Sequence, residues 1–150
     1  MINIEIAPEF AEQVPADILE SVAAGVLRLT NTEANSDISI QLTDDATLQQ
    51  YNQEYMGIDA PTDVLSFSVP VDNPETGDPY LGDLLISLPT AASQAEAAGH
   101  PVVEEVKLLV VHGVLHLLGY DHATPEEKSA MWTLQDTILA ELGIAARPTE

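Results

Sequence analysis

The stretch "VVHGVLHLLGYDH", residues 110–122, holds three of the chain's four histidines in an otherwise apolar run. His112 and His116 are four apart, so on a helix they share one face with Cβ atoms about 5–6 Å apart. From Leu108 to Leu118 almost every residue is apolar, so this helix is expected to be buried all round. Gly119 ends it with a left-handed turn that only glycine adopts at little cost. Continued helix would carry His122 up the axis and away. A reversal at Gly119 instead folds His122 back toward the other two rings. Three buried imidazoles without partners would cost about 1–3 kcal/mol each. A shared divalent ion, bound at about 2.0–2.1 Å by ring nitrogens, removes that cost. His112, His116 and His122 are therefore the candidate metal ligands.

The spacing His-x3-His-x2-Gly-x2-His is that of the metzincin zinc proteases. In those, a glutamate after the first histidine serves as general base. Here that residue is Gly113, so peptide hydrolysis by that route is not expected. Three neutral ligands leave the ion's full charge and an open position, where water ionises near neutral pH. The pattern indicates a hydrolase without naming its substrate.

Outward from this helix the chain mixes strands and helices. "INIEI" (2–6) alternates and reads as a strand. Pro15 and Asp17 open a helix to about Thr30, with Ile18, Val22, Val26 and Leu29 at helical spacing. "NTEANSD" is a polar link. "ISIQL" (38–42) is a second strand, and Thr43 or Asp44 caps a helix that stops at Gly57. "DVLSFSV" (63–69) is a third strand, with Leu65, Phe67 and Val69 on one face. "PVDNPETGDPY" is a turn-rich exposed loop. "LGDLLISL" (81–88) is a fourth strand, with Leu84, Ile86 and Leu88 opposite Asp83, Leu85 and Ser87. A helix from about Pro89 to Ala98 follows and breaks at Gly99. Pro101 suits the first turn of the histidine helix, where Glu104 and Glu105 meet the positive end of its dipole. Thr124 and Glu127 form a capping box for a last helix with the stripe Met131, Leu134, Ile138 and Leu142. No repeat or linker divides residues 1–150, and no steady βαβ rhythm runs through them. The expectation is a single α+β domain.

The 150 residues include no cysteine, which excludes disulfides, thiol nucleophiles and thiolate metal sites. No apolar run reaches the ~18 residues of a membrane helix, and "MINIEIAPEF" lacks a signal pattern, so a soluble intracellular protein is expected. Twenty-five acids against four lysines and arginines give a formal charge of −21. That field repels polyanions at long range and by itself disfavours nucleic-acid binding. An acidic, salt-adapted proteome is the plain account of it.

"HGVLHLLGYDH" resembles the signature of the YbeY family of bacterial metal-dependent endoribonucleases. "PTDVLSFSVP" (61–70), "YLGDLLISL" (80–88), "QAEAAGH" (94–100) and "MWTLQDTILAELG" (131–143) follow in the family's order, over roughly residues 38–143. The resemblance implies a zincin-like metal helix packed on a small mixed sheet, here of four strands. It implies one zinc ion on His112, His116 and His122, and cleavage of single-stranded RNA. It also implies maturation of the 3′ end of 16S rRNA, ribosome quality control, a cytoplasmic location, and a ribosomal protein and an assembly GTPase as partners. One position departs. The family's "YRG.D" segment reads "YMGID" here, and Met56 cannot bind phosphate as the family's arginine can. An assembly factor with a zinc site and little nuclease activity is the alternative, and a metal-dependent hydrolase of another substrate a third.

The acid–base residues stay open. Asp121 either orients a ligand or accepts a proton, or it caps the turn. Asp83, mid-strand amid leucines, is either functional or at a strand edge. Thr62 and Asp63 read as turn formers, Met131 as core, Tyr120 as packing on the metal helix, His100 as exposed, and Lys107 and Arg28 as surface charges.

Overall fold

The fold comes from a computed structural model that describes residues 2–32, 36–72, 79–121 and 123–146. Four strands, β1 (Ile2–Ile6), β2 (Asp37–Thr43), β3 (Val64–Asp72) and β4 (Pro79–Ser87), form one sheet in the order β1-β2-β4-β3. β1 and β4 each run parallel to β2, while β3 is antiparallel to β4. Among the described residues five α-helices pack with it: α1 (Ala16–Leu29), α2 (Asp45–Tyr51), α3 (Leu88–Ala98), α4 (Val102–Leu117) and α5 (Pro125–Glu141). This mixed sheet packed with helices is the expected α+β architecture. A parallel neighbour needs a crossover, and α1 supplies the one between β1 and β2.

Alternation along the strands decides what each sheet face meets. Ile38, Ile40, Leu42, Leu84 and Ile86 are buried in one core with Leu19, Val22 and Val26 of α1 and Val106, Val110 and Val114 of α4. The opposite face carries a smaller cluster, in which Leu65 and Leu85 pack under Leu48 of α2. β4 is therefore apolar on both faces at its C-terminal end, and its one acid, Asp83, sits in a central strand, not at an edge.

Several boundaries and faces differ from the sequence reading. β3 and β4 extend to Asp72 and back to Pro79, so part of the expected loop is strand; residues 73–78 lie outside the described ones, as do 33–35 of the polar link. A β-bulge between Ser68 and Val71 accommodates the extension. Opposite it, Gly82 has φ +142°, and a Cβ there would lie 2.1 Å from the Phe67 carbonyl oxygen. Leu88 leaves β4 and begins α3, because Ser87 caps that helix through the Thr90 N–H. Asp44 caps α2 through Thr47 N–H at 2.9 Å, and the chain runs on as a π-turn over Asn52–Met56 to Gly57 at φ +73°. Asn52, buried, anchors that turn by donating to the Ala60 carbonyl. Pro101 is the N-cap of α4, one position before its first turn. On α1 the buried face is Leu19, Val22, Ala23 and Val26, which leaves Ile18 and Leu29 at its margins.

Two residues read as surface groups are held. His100 Nε2 lies 2.7 Å from Glu105 Oε1, with only 17% of the His100 side chain exposed. Lys107 Nζ lies 3.0 Å from Glu104 Oε2. Polar groups at a crowded helix start find partners because burial without them is costly.

Candidate metal centre

α4 crosses the sheet at Gly113. A Cβ on Gly113 would stand 2.6 Å from Leu84 Cδ2, so helix and strand are in direct contact there. Any side chain at this position, a glutamate included, would have to displace Leu84. The close approach buries α4 nearly all round. From Leu108 to Leu117, every residue is buried except His112 and His116, which are partly open. The one opening on this stretch of the helix is the histidine stripe.

The two rings converge on that stripe. Their Nε2 atoms are 3.1 Å apart and the ring centroids 4.7 Å apart, nearly perpendicular. Two nitrogens bound tetrahedrally to one zinc ion at about 2.0–2.1 Å stand about 3.3–3.4 Å apart. The observed separation is short of that by only a few tenths of an ångström, so the pair fits a shared ion. No group of three such ligands forms among the described residues; His122, the third ligand expected from the sequence, lies outside them.

The turn that leads to His122 is built as the glycine required. Gly119 has φ +101°. Its N–H donates to the His116 carbonyl at 3.0 Å, and the Tyr120 N–H donates to the Leu115 carbonyl at 3.0 Å. This double closure is a Schellman motif, which satisfies the last helix carbonyls and turns the chain off the axis. Tyr120 and Asp121 follow, both exposed, so Tyr120 does not pack into the helix as expected.

α5 supplies the support that the sequence reading missed. Gln135 is fully buried and its Oε1 lies 2.9 Å from His112 Nδ1. Trp132 stands edge-on to the His112 ring at 5.6 Å, and Lys128 Nζ lies 5.4 Å from the Trp132 ring centre. Thr124 starts the helix by accepting from the Glu127 N–H. The stripe expected on α5 was Met131, Leu134, Ile138 and Leu142. Met131 and Ile138 are buried on it, but Gln135 and Leu139 are the other buried residues, with Leu134 and Leu142 at the edge. The signal was present: Gln135 is four after Met131 and three before Ile138, a polar residue on an apolar stripe.

Asp83 is not brought to this pair. Leu84 faces α4, so Asp83 and Leu85 point to the other side of the sheet. There Asp83 lines a cleft of about 620 Å3 with Glu5, Ser39, Tyr51, Tyr55 and Phe67. The Tyr80 hydroxyl donates to Asp83 Oδ1 and stands 3.0 Å from Ser39 Oγ. Burial pushes the Tyr80 phenol above its ordinary pKa, and the bond to Asp83 adds to the shift. Tyr51 and Tyr55 stack, and Tyr55 meets Phe67 edge-on. Met56 and Ile58 are half exposed beside them. Asp63 bonds the Val64 N–H and the Gln94 side chain, in keeping with a turn former.

The family model described as endoribonuclease YbeY matches residues 3–143. The chain belongs to the YbeY endoribonuclease family. Among its relatives, the YbeY endoribonuclease of Roseiflexus castenholzii is 41% identical over 150 residues, covering 97% of this chain and 94% of the relative. That of Rhodococcus opacus is 41% identical over 92% of this chain and 81% of its own. That of Geobacillus kaustophilus is 40% identical over 89% of each. In three dimensions the chain resembles the solution structure of a Thermotoga maritima protein, with a TM-score of 0.59 at 20% identity over 100% of this chain and 99% of that one. That likeness carries the fold alone. Among the described residues no helix is long and apolar enough to cross a membrane.

Proposed function

We propose that this YbeY-family protein is a zinc-dependent, single-strand-specific endoribonuclease acting in the cytoplasm on the 3′ end of 16S rRNA and in ribosome quality control. The observation that carries the metal part is the 3.1 Å approach of His112 Nε2 and His116 Nε2 on the one open stripe of a buried helix. Family membership supports the ribonuclease part. Zinc at such a centre supplies Lewis acidity toward a phosphate ester and an acidified water. The chain's own part is to hold His112 and His116 facing one point, and to turn the backbone at Gly119 so that His122 joins them. Gly113 carries no carboxylate, and Asp83 lies across the sheet. Asp121, exposed one residue before His122, is the remaining candidate for proton transfer. A ribosomal protein and an assembly GTPase are the proposed protein partners.

The test uses purified, zinc-loaded protein with single-stranded RNA, beside a His116→Ala variant. Cleavage by the wild type alone is expected. Equal cleavage by both, or by neither, rejects the enzymatic reading. Elemental analysis of untagged protein is expected to find about one zinc per chain, lost in His112→Ala.

A second reading has its own observation. Met56 replaces the family's arginine and is half exposed, so it offers no cation to RNA, and the chain's charge is −21. An assembly factor that docks basic partners and cleaves little fits that surface. Retention of ribosomal proteins from lysate, together with no cleavage, favours it.

A further inference from the structure

We propose that Gln135 is a positioning residue of the metal centre: its carbonyl oxygen holds the proton on His112 Nδ1 and so keeps His112 Nε2 bare toward His116. The inference rests on the metal reading above. A neutral imidazole carries one N–H and one lone pair, and the hydrogen bond at one nitrogen decides which atom has which. Gln135 Oε1 stands 2.9 Å from Nδ1 and can only accept. It therefore selects the tautomer whose lone pair is on Nε2, the atom 3.1 Å from His116 Nε2. An amide turned the other way would donate to Nδ1 and leave a proton on Nε2, where an ion must bind.

The setting of the amide favours this role over plain packing. Gln135 has 0% exposure amid Met131, Ile138 and Leu139. Its own Nε2 is buried with no hydrogen-bond partner among the described residues. A buried amide that uses its oxygen on the ligand and leaves its nitrogen unmatched is poorly suited to a purely structural site, where an apolar side chain would fit. The chemistry of the acceptor matters too. An amide orients the ring without adding charge, so the centre keeps the full charge of its ion, whereas a carboxylate would raise the basicity of the ligand.

The experiment pairs Gln135→Met, which keeps length and removes the acceptor, with Gln135→Glu, which keeps an acceptor. Two quantities are read on each protein. One is the His112 tautomer, from nitrogen NMR of the metal-free chain; the other is the zinc dissociation constant, from competition with a chelator. Circular dichroism and melting check folding. The wild type is expected to show the Nδ1–H tautomer. Gln135→Met is expected to lose that preference and to bind zinc about 10–100-fold more weakly, and Gln135→Glu to recover the wild-type affinity or exceed it. An unchanged tautomer with affinity within about threefold in Gln135→Met overturns the proposal. If Gln135→Met fails to fold, an Nε2–H tautomer in the wild type, or no recovery in Gln135→Glu, overturns it as well. A wild type that binds no zinc while showing the Nδ1–H tautomer rejects the metal reading and leaves the orienting role of Gln135 standing.

Discussion

Gly113 shows what one residue does twice. It removes the side chain that would be the base of a zinc protease, and it lets α4 lie against Leu84. Gly113→Ala gains about 1 kcal/mol of helix propensity but drives a Cβ to 2.6 Å from Leu84 Cδ2, in a class of overpacking that costs about 1–3 kcal/mol. We expect a net loss of up to roughly 2 kcal/mol in urea unfolding. The same change in a Leu84→Ala background should cost nothing or stabilise; equal penalties in both backgrounds would refute the contact as the cause. Across the sheet, Tyr80 and Asp83 give a second residue-scale test. The phenol is raised above its ordinary value of 10.0 by burial and by its bond to Asp83. A raised pKa in the folded state means that this contribution to stability is complete below pH ~10 and fades as pH climbs through the folded value. In Asp83→Asn, phenolate absorbance is expected to appear at lower pH than in the wild type. No change in that titration would remove the carboxylate from the account.

At the scale of elements, the end of α4 is the joint where the chain leaves the helix axis. A Cβ added to Gly119, at φ +101°, would have nothing within 4 Å among the described residues, so a side chain there meets open space and the cost is purely of the backbone. Gly119→Ala is expected to lose about 1–2 kcal/mol, the usual cost of holding an L-residue in the left-handed region. If the turn also aims His122, zinc affinity falls by more than the loss of stability explains, because the exit angle of the chain changes. A variant that is destabilised but binds zinc like the wild type would separate the turn from the metal. α5 matters for a related reason: it is the element that reaches the histidine stripe from outside α4, through Trp132 and Gln135.

For the whole molecule, charge dominates. At −21 the folded chain repels itself, and the Debye length shrinks from about 10 Å at 0.1 M salt to about 3 Å at 1 M. The melting temperature should therefore rise with sodium chloride over that range, and a flat or falling trend would contradict it. One carboxylate ties distant segments against this repulsion. Burial pushes Glu104 upward, but the Ala145 backbone N–H and Lys107 more than offset it, so its carboxyl sits below the ordinary value. A lowered folded pKa contributes stability that is complete above the unfolded value of about 4.3 and is lost as pH falls through the folded one. Glu104→Gln is thus expected to flatten the acid side of the stability curve, measured by denaturation between about pH 3 and pH 6.

Periodicity and punctuation made much of the molecule readable in one dimension. The alternation of Ile2, Ile4 and Ile6, the caps at Asp44 and Thr124, and the stops at Gly57, Gly99 and Gly119 act within a few residues, so local order states them directly. The pairing of His112 with His116 belongs to the same class, since four residues on a helix set their distance. Tertiary structure alone decided that Gln135 meets His112, that Gly113 meets Leu84, that His100 is held by Glu105, and that Asp83 faces away from the histidines. Gln135 lies 23 residues from its partner and Leu84 further still from Gly113, and β4 enters the sheet between β2 and β3 out of chain order. Local sequence determines what each segment is, because its forces act over one turn or one pleat; which side of a neighbour it meets follows from how the apolar faces of the whole chain are buried together.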